Sequence, residues 1–161
     1  MKLILKEFLN IRSALITDLV IYFKWVNEKV VRKNSFNSKK ITLNDHEKWY
    51  LNKLKSKNTH FLIFEKESIP IGQIRFDIKD SKAHIDYSID KKYRGRGLGG
   101  ILLKMGIKHI INDLKIKNII SFKAEVKTSN ISSIKIFENN RFKKKLFYDS
   151  NKVIFEKLIK N

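Results

Sequence analysis

Apolar residues along the chain follow two periodicities, and their order predicts a mixed domain of strands and helices. Residues 2–8 read as a first strand. Residues 17–28 carry Leu19, Val20, Phe23 and Val26 at helical spacing, and Thr17-Asp18 can cap that helix. Residues 31–40 are polar and turn-like. Residues 42–51 predict a second helix, with Thr42 followed by acidic residues at its start. Phe61-Leu62-Ile63-Phe64 is a buried strand, and Glu67-Ser68-Ile69-Pro70, which holds the only proline, is a turn. Residues 71–78 and 83–89 alternate as strands around the link Lys79-Asp80-Ser81-Lys82. A helix to about Asp113 follows, then a strand over 118–126, a helix over 129–139, and closing strands over 142–148 and 153–160. The predicted order is β-α-α-β-β-β-α-β-α-β-β. No repeat, low-complexity linker or domain boundary interrupts it, so residues 1–161 read as one domain.

The segment Tyr93-Arg94-Gly95-Arg96-Gly97-Leu98-Gly99-Gly100 places four glycines within six positions. A strand pattern, His84-Ile85-Asp86-Tyr87-Ser88-Ile89, precedes it, and a helical pattern, Ile101-Leu102-Leu103-Lys104-Met105-Gly106-Ile107, follows at once. A glycine loop leading into a helix points several N–H groups and the positive end of the helix dipole at one spot, which is an anion site. A Walker loop requires Gly-Lys-Ser/Thr, which is absent. A dinucleotide fold requires G-x-G-x-x-G after a first strand, whereas these glycines lie past the chain midpoint and are spaced G-x-G-x-G.

Composition narrows the class. With 42% hydrophobic and 11% aromatic residues the chain is not disordered. It has no cysteine, which excludes disulfides, thiolate metal sites and a cysteine nucleophile. No apolar run has the length of a membrane span, and the start lacks a secretory leader pattern, so a soluble cytoplasmic protein is expected. The formal net charge of +19 suits an anionic ligand. The lysines are nevertheless scattered over the whole chain, with no basic-aromatic stripe, so nucleic acid is not the expected partner and neither is a membrane.

Arg94-x-x-Gly97-x-Gly99 resembles the R/Q-x-x-G-x-G/A loop of the GNAT acetyltransferase superfamily, which holds the pyrophosphate of acetyl-CoA. Asn130-Ile131-Ser132-Ser133-Ile134-Lys135-Ile136-Phe137-Glu138-Asn139-Asn140-Arg141-Phe142 resembles the same family's N-x-x-S-x-x-x-Y/F-E-x-x-G-F segment, with Arg141 in place of the usual glycine. The element order matches over the full length. The resemblance implies an α/β (α+β) GNAT fold: a mixed, mostly antiparallel central sheet of six to seven strands, flanked by about four helices and splayed between strands 4 and 5. It implies acetyl-CoA, released as CoA, as the cofactor, and no metal.

By that resemblance the backbone of Gly95, Arg96, Gly97, Leu98, Gly99 and Gly100 cradles the pyrophosphate, with charge from Arg94 and Arg96. Tyr87, Ser88 and Ile89 bind pantetheine like a paired strand, and Asn130, Ser133 and Phe137 lie near it. The attacking amine must lose a proton. Glu125, near the end of the fifth strand, is the expected base, with Asp86 and His84 as rivals. The family's acid is commonly a tyrosine seven residues after the asparagine. Here that position is Phe137, which leaves Ser133 and Tyr148 as candidates.

The acceptor is read from Trp25-Val26-Asn27, Val31-Arg32-Lys33-Asn34-Ser35-Phe36-Asn37-Ser38, His46-Glu47-Lys48-Trp49 and Ile71-Gly72-Gln73-Ile74-Arg75. This series resembles the acetyltransferases that act on the amine of a UDP-4-amino-dideoxy sugar on the route to pseudaminic acid. The resemblance assigns Asn27, Arg32, His46 and Arg75 to that nucleotide-sugar acceptor, while Trp25 and Trp49 read as core packing. A homodimer is allowed. The alternatives are a protein N-terminal or ribosomal-protein acetyltransferase, and a non-catalytic nucleic-acid-binding or antitoxin-like module. The even lysine spread and the intact loop speak against the last.

Overall fold

The computed structural model describes residues 8–145 and 151–159. One sheet of seven strands runs through it in the order β1-β2-β3-β4-β5-β7-β6. The strands are β1 (Leu9–Ser13), β2 (Thr59–Lys66), β3 (Ile69–Lys79), β4 (Lys82–Ile89), β5 (Ser121–Lys127), β6 (Lys143–Lys145) and β7 (Lys152–Leu158). The helices are α1 (Leu19–Val26), α2 (Lys29–Asn34), α3 (Leu43–Lys55), α4 (Leu98–Lys108) and α5 (Ile131–Asn139). Only β4 and β5 pair in parallel; the other pairings are antiparallel.

Two tight hairpins set the register of the central strands. Glu67 and Ser68 (φ 51° and 64°) join β2 to β3, and Asp80 and Ser81 (φ 49° and 59°) join β3 to β4. Positive φ at both loop residues matches the right-handed twist of the strands they connect. Pro70 is accommodated where the β2–β3 register shifts between Phe64 and Glu65.

Alternation along the strands builds a core on each face of the sheet. Leu62, Phe64, Ile74 and Phe76 pack with Leu102 and Leu103 of α4 and with Phe137 of α5. Phe61 and Ile63 face the other way, onto Tyr22 and Trp25 of α1 and Tyr50 of α3. Thr42 caps α3, accepting from the Asp45 N–H at 3.1 Å, as its spacing predicted.

One expectation is corrected and two others are set against the structure. The polar stretch 31–40 was expected to be turn throughout, but its first residues continue α2, capped by Glu28, whose side chain accepts from the Val30 N–H. Among the described residues five α-helices flank the sheet, which has the expected mixed, mostly antiparallel architecture. The first strand was expected over 2–8. Residues 1–7 lie outside the described residues, and the described strand is Leu9–Ser13, where apolar Leu9 and Ile11 alternate with polar Asn10 and Arg12. Arg12 is bound there by Asp18 and Glu65, each at 2.7 Å. The helix expected to about Asp113 does run to that residue, its last turn being a wider π turn over His109–Asp113.

Candidate active site

The parallel strands β4 and β5 pair only at Lys82↔Ser121, Ala83↔Phe122 and His84↔Lys123, and then diverge. From Ile85 onward no strand among the described residues pairs with the β5-facing edge of β4. A cleft of about 640 Å³ fills the gap, lined by Ile85 to Ile89 on one side and Ala124 to Val126 on the other. Its outer end is the glycine loop and its inner wall is α5.

The loop geometry explains three of its glycines. Gly95 (φ 75°) and Gly97 (φ 74°) occupy the left-handed region, which side chains with a Cβ rarely adopt. A Cβ on either would meet no atom within 4 Å, so the space beside them is open. At Gly99 the reason is packing: a Cβ would stand 2.7 Å from Ile136 Cδ1 on α5. Gly97 is the N-cap of α4 and no side chain caps it. The N–H groups of Leu98, Gly99 and Gly100 therefore face outward with no carbonyl a turn behind them in the helix. Arg96 lies exposed, 5.7 Å from the Tyr93 ring centroid. Lys135 of α5 also lines the cleft, with no carboxylate partner among the described residues.

A second cavity, about 380 Å³, lies between the α1–α3 side and the sheet. Its floor is Gln73 and Arg75 of β3 and Asp86 and Ser88 of β4, directly paired as Gln73↔Ser88 and Arg75↔Asp86. His46 and Trp49 of α3 form its wall. Asp86, Tyr87 and Ser88 line both cavities, so the two meet at the splay.

Charge in the smaller cavity is tightly balanced. Arg75 Nε donates to Asp77 at 2.7 Å, Nη1 lies 3.8 Å from Asp86, and the guanidinium sits 5.1 Å from the Trp49 ring centroid. Burial disfavours its charge, yet Asp86, Tyr22 and Asp77 together hold its pKa above the ordinary arginine value. Tyr22 O–H donates to Gln73 Oε1 at 2.8 Å, which turns Gln73 Nε2 toward Asp86 at 3.1 Å. His46 is 1% exposed; Tyr22, Phe23, Trp49 and Tyr50 surround its ring, and its Nε2 has no partner. Burial keeps its pKa below the usual histidine value, against the opposing effect of a bond to the Leu19 backbone.

Several expected site residues are engaged by the fold. Arg32 lines the smaller cavity, but its guanidinium donates to the carbonyls of Val26 (2.5 Å), Asn37 (3.1 Å) and Lys39 (3.3 Å) and to Ser35 Oγ (3.0 Å). Asn27 lines neither cavity; its amide clamps Ile41 through both the N–H and the carbonyl. Arg94 Nε donates to the Ile89 carbonyl at 2.9 Å and Nη2 contacts Glu28 at 2.5 Å, tying the loop to α2. Asn130 caps α5, its Oδ1 accepting from the Ser133 N–H at 3.2 Å.

Among the base candidates, Glu125 lines only the larger cleft and is paired with Lys152 at 3.0 Å. His84 lies at the last β4–β5 pair and lines neither cavity. Asp86 lines both. Tyr148 lies outside the described residues. Gln73, Tyr22 and Glu28 were missed from the sequence; a glutamine inside the apolar run of β3 was the one available signal.

The family model of the acetyltransferase (GNAT) domain matches residues 9–143. The chain belongs to this family, whose members are acetyl-CoA-dependent N-acetyltransferases. No curated protein matches. Among solved structures, the chain is similar to the ribosomal L7/L12 α-N-protein acetyltransferase RimL in complex with coenzyme A (14% identity, TM-score 0.79, 96% of each chain). It is also similar to spermidine N-acetyltransferase from Vibrio cholerae in complex with CoA and spermine (14% identity, TM-score 0.78, 94% of this chain and 96% of that one). A third is AAC(6')-Ib in complex with ribostamycin and coenzyme A (18% identity, TM-score 0.78, 93% of each chain). No helix among the described residues is long and apolar enough to cross a membrane.

Proposed function

We propose that the protein moves an acetyl group from acetyl-CoA to the amine of a nucleotide-linked amino sugar of the UDP-4-amino-dideoxy type. The observation that carries the acceptor is the smaller cavity. An aromatic wall of Trp49 and His46 faces a polar floor of Gln73, Arg75, Asp86 and Ser88, and the cavity opens into the glycine-loop cleft. An aromatic face suits the C–H side of a sugar ring, and the polar floor suits its hydroxyl and amide groups. Its volume of about 380 Å³ is within the range of small-molecule sites and leaves little room for a folded protein surface.

Acetyl-CoA supplies the activated acyl thioester. The open space beside Gly95 and Gly97 and the unpaired β4 edge fit its two parts. The N–H groups of Arg96 to Gly100 take the pyrophosphate, with Arg96 and Lys135 adding charge. Tyr87 and Ser88 take pantetheine along the strand edge. The Ile89 carbonyl already accepts from Arg94, so its part is to hold the loop. The Asn130 side-chain NH₂, left free by its capping bond, faces the same cleft.

Asp86 receives the amine. It is the carboxylate common to both cavities, it is oriented by Gln73, and it is half-exposed, so it can hold an ammonium and pass its proton to water. Arg32 acts by shaping the wall. The sugar nucleotide's diphosphate then falls to other cations, for which Lys33, Lys39 and Lys40, close in sequence to the cavity-lining Arg32, Ser35 and Ile41 and without an ion-pair partner among the described residues, are available. Acetyl-CoA-dependent thiol release should be seen with a UDP-4-amino-dideoxy sugar and be far weaker with a peptide N-terminus or spermidine. Activity on the peptide or polyamine alone would overturn the acceptor assignment.

A further inference from the structure

Phe137 stands where the resembling segment commonly has tyrosine, and it brings no hydroxyl to the cleft. It is 1% exposed, held by the rings of Tyr87, Phe142 and Phe155 at centroid distances of 5.8, 5.0 and 5.3 Å. Beside it two hydroxyls meet. Tyr87 Oη, from β4, and Ser133 Oγ, from the first turn of α5, are 3.0 Å apart, and both residues line the cleft. Neither hydroxyl has another hydrogen-bond partner among the described residues; Asn130 takes the backbone N–H of Ser133 instead.

Two hydroxyls carry two protons, and one bond between them uses one. Whichever way that bond points, one O–H remains to donate outward. No further protein acceptor meets either hydroxyl among the described residues, and both residues line the cleft, which leaves the spare donor for a group in it. Burial pushes the Tyr87 phenol up to about 12, against the opposing effect of the Ser133 bond, so it stays protonated over the working pH range.

We propose that this pair replaces the missing tyrosine: Ser133 donates to the departing sulfur, and Tyr87 is the positioning residue that donates to Ser133 and aims its proton into the cleft. As the C–S electron pair arrives on sulfur, Ser133 gives its proton there and takes the Tyr87 proton in its place. The phenolate is refilled, through water, by the proton the amine nitrogen sheds once the C–N bond has formed. Amine and thioester become amide and thiol, and the pair returns to its starting state. The inference rests on acetyl transfer from CoA and not on the identity of the acceptor.

Tyr87→Phe keeps the ring against Phe137 and removes only the hydroxyl; Ser133→Ala removes the other. Calorimetry at pH 8 compares CoA with desulfo-CoA, which lacks the sulfur. The wild type should prefer CoA, and each variant should lose about threefold or more of that preference, as expected for one lost hydrogen bond, with desulfo-CoA affinity nearly unchanged. Ser133→Thr, which keeps a hydroxyl, should restore it. The double variant should behave like Ser133→Ala alone, since the two act as one unit. An unchanged preference in both variants would overturn the proposal, as would equal losses for the two ligands. Wild-type protein that bound neither ligand would overturn the acetyl-CoA site along with it.

Discussion

Arg32 separates a sequence expectation from a structural one. The acceptor resemblance assigns its guanidinium to the substrate, whereas four hydrogen bonds engage it with Val26, Ser35, Asn37 and Lys39. The bonds to Val26 and Ser35 are partly buried and those to Asn37 and Lys39 are exposed. At roughly 1 kcal/mol for each partly buried bond and a few tenths for each exposed one, Arg32→Gln should cost about 2–3 kcal/mol of stability. That corresponds to about 4–12 °C in Tm for a chain of this size. Arg32→Lys keeps the charge but loses the planar fork, so it should be nearly as destabilised. Urea unfolding followed by tryptophan fluorescence gives the stability, and steady-state kinetics the acceptor KM. Two results together would refute the reasoning: Arg32→Gln within about 0.5 kcal/mol of wild type, and an acceptor KM that rises in Gln but recovers in Lys. That pattern is what a free, ligand-binding cation would show.

Other substitutions test other parts of the site. Gly97→Ala should cost about 1–2 kcal/mol, because a Cβ is strained at φ 74° even though it meets no atom, and Gly97→Asn should cost clearly less; equal unfolding midpoints would refute this account. Asp86→Asn should lower kcat by about 100-fold or more with little change in acetyl-CoA affinity, and Glu125→Gln by about threefold at most. The reverse order in rapid-quench kinetics would make Glu125 the base. His46 gives a pH signature. Its folded pKa lies below the ordinary histidine value of about 6.5, so the unfolded chain binds more protons between the two. Stability must then fall as pH drops through that window, by at most about 1.4 kcal/mol per pH unit. His60, also held low by burial and by His109, contributes with the same sign. Denaturation at several pH values between 5.5 and 7.5 should show a shallower slope for His46→Phe, and an unchanged slope would refute the buried neutral state.

Most of the fold was legible in the chain because its signals are local. Alternation in residues 71–78 and 83–89, the Thr42 cap and the glycine spacing each depend on a few neighbouring residues, and each appears where expected. The extra helix α2 was not, because its polar residues lack an apolar stripe and its cap, Glu28, is held by Arg94 from 66 residues away.

The site divides along the same line. The anion cradle is a property of one short segment: left-handed glycines followed by a helix start must present N–H groups wherever the segment is placed. Which polar side chains remain free is a property of contacts between distant segments. Arg32, Asn27 and Arg94 look available in the chain, yet carbonyls and a carboxylate brought by other segments engage them. Asp86 looks like one more strand carboxylate until the splay of β4 from β5 opens both cavities onto it. Tyr87 and Ser133, 46 positions apart, become a hydroxyl pair only once α5 packs across the sheet. Residue type and spacing determine what a local segment can bind; long-range packing, which satisfies some polar groups and leaves others bare, decides which of them remain to do chemistry.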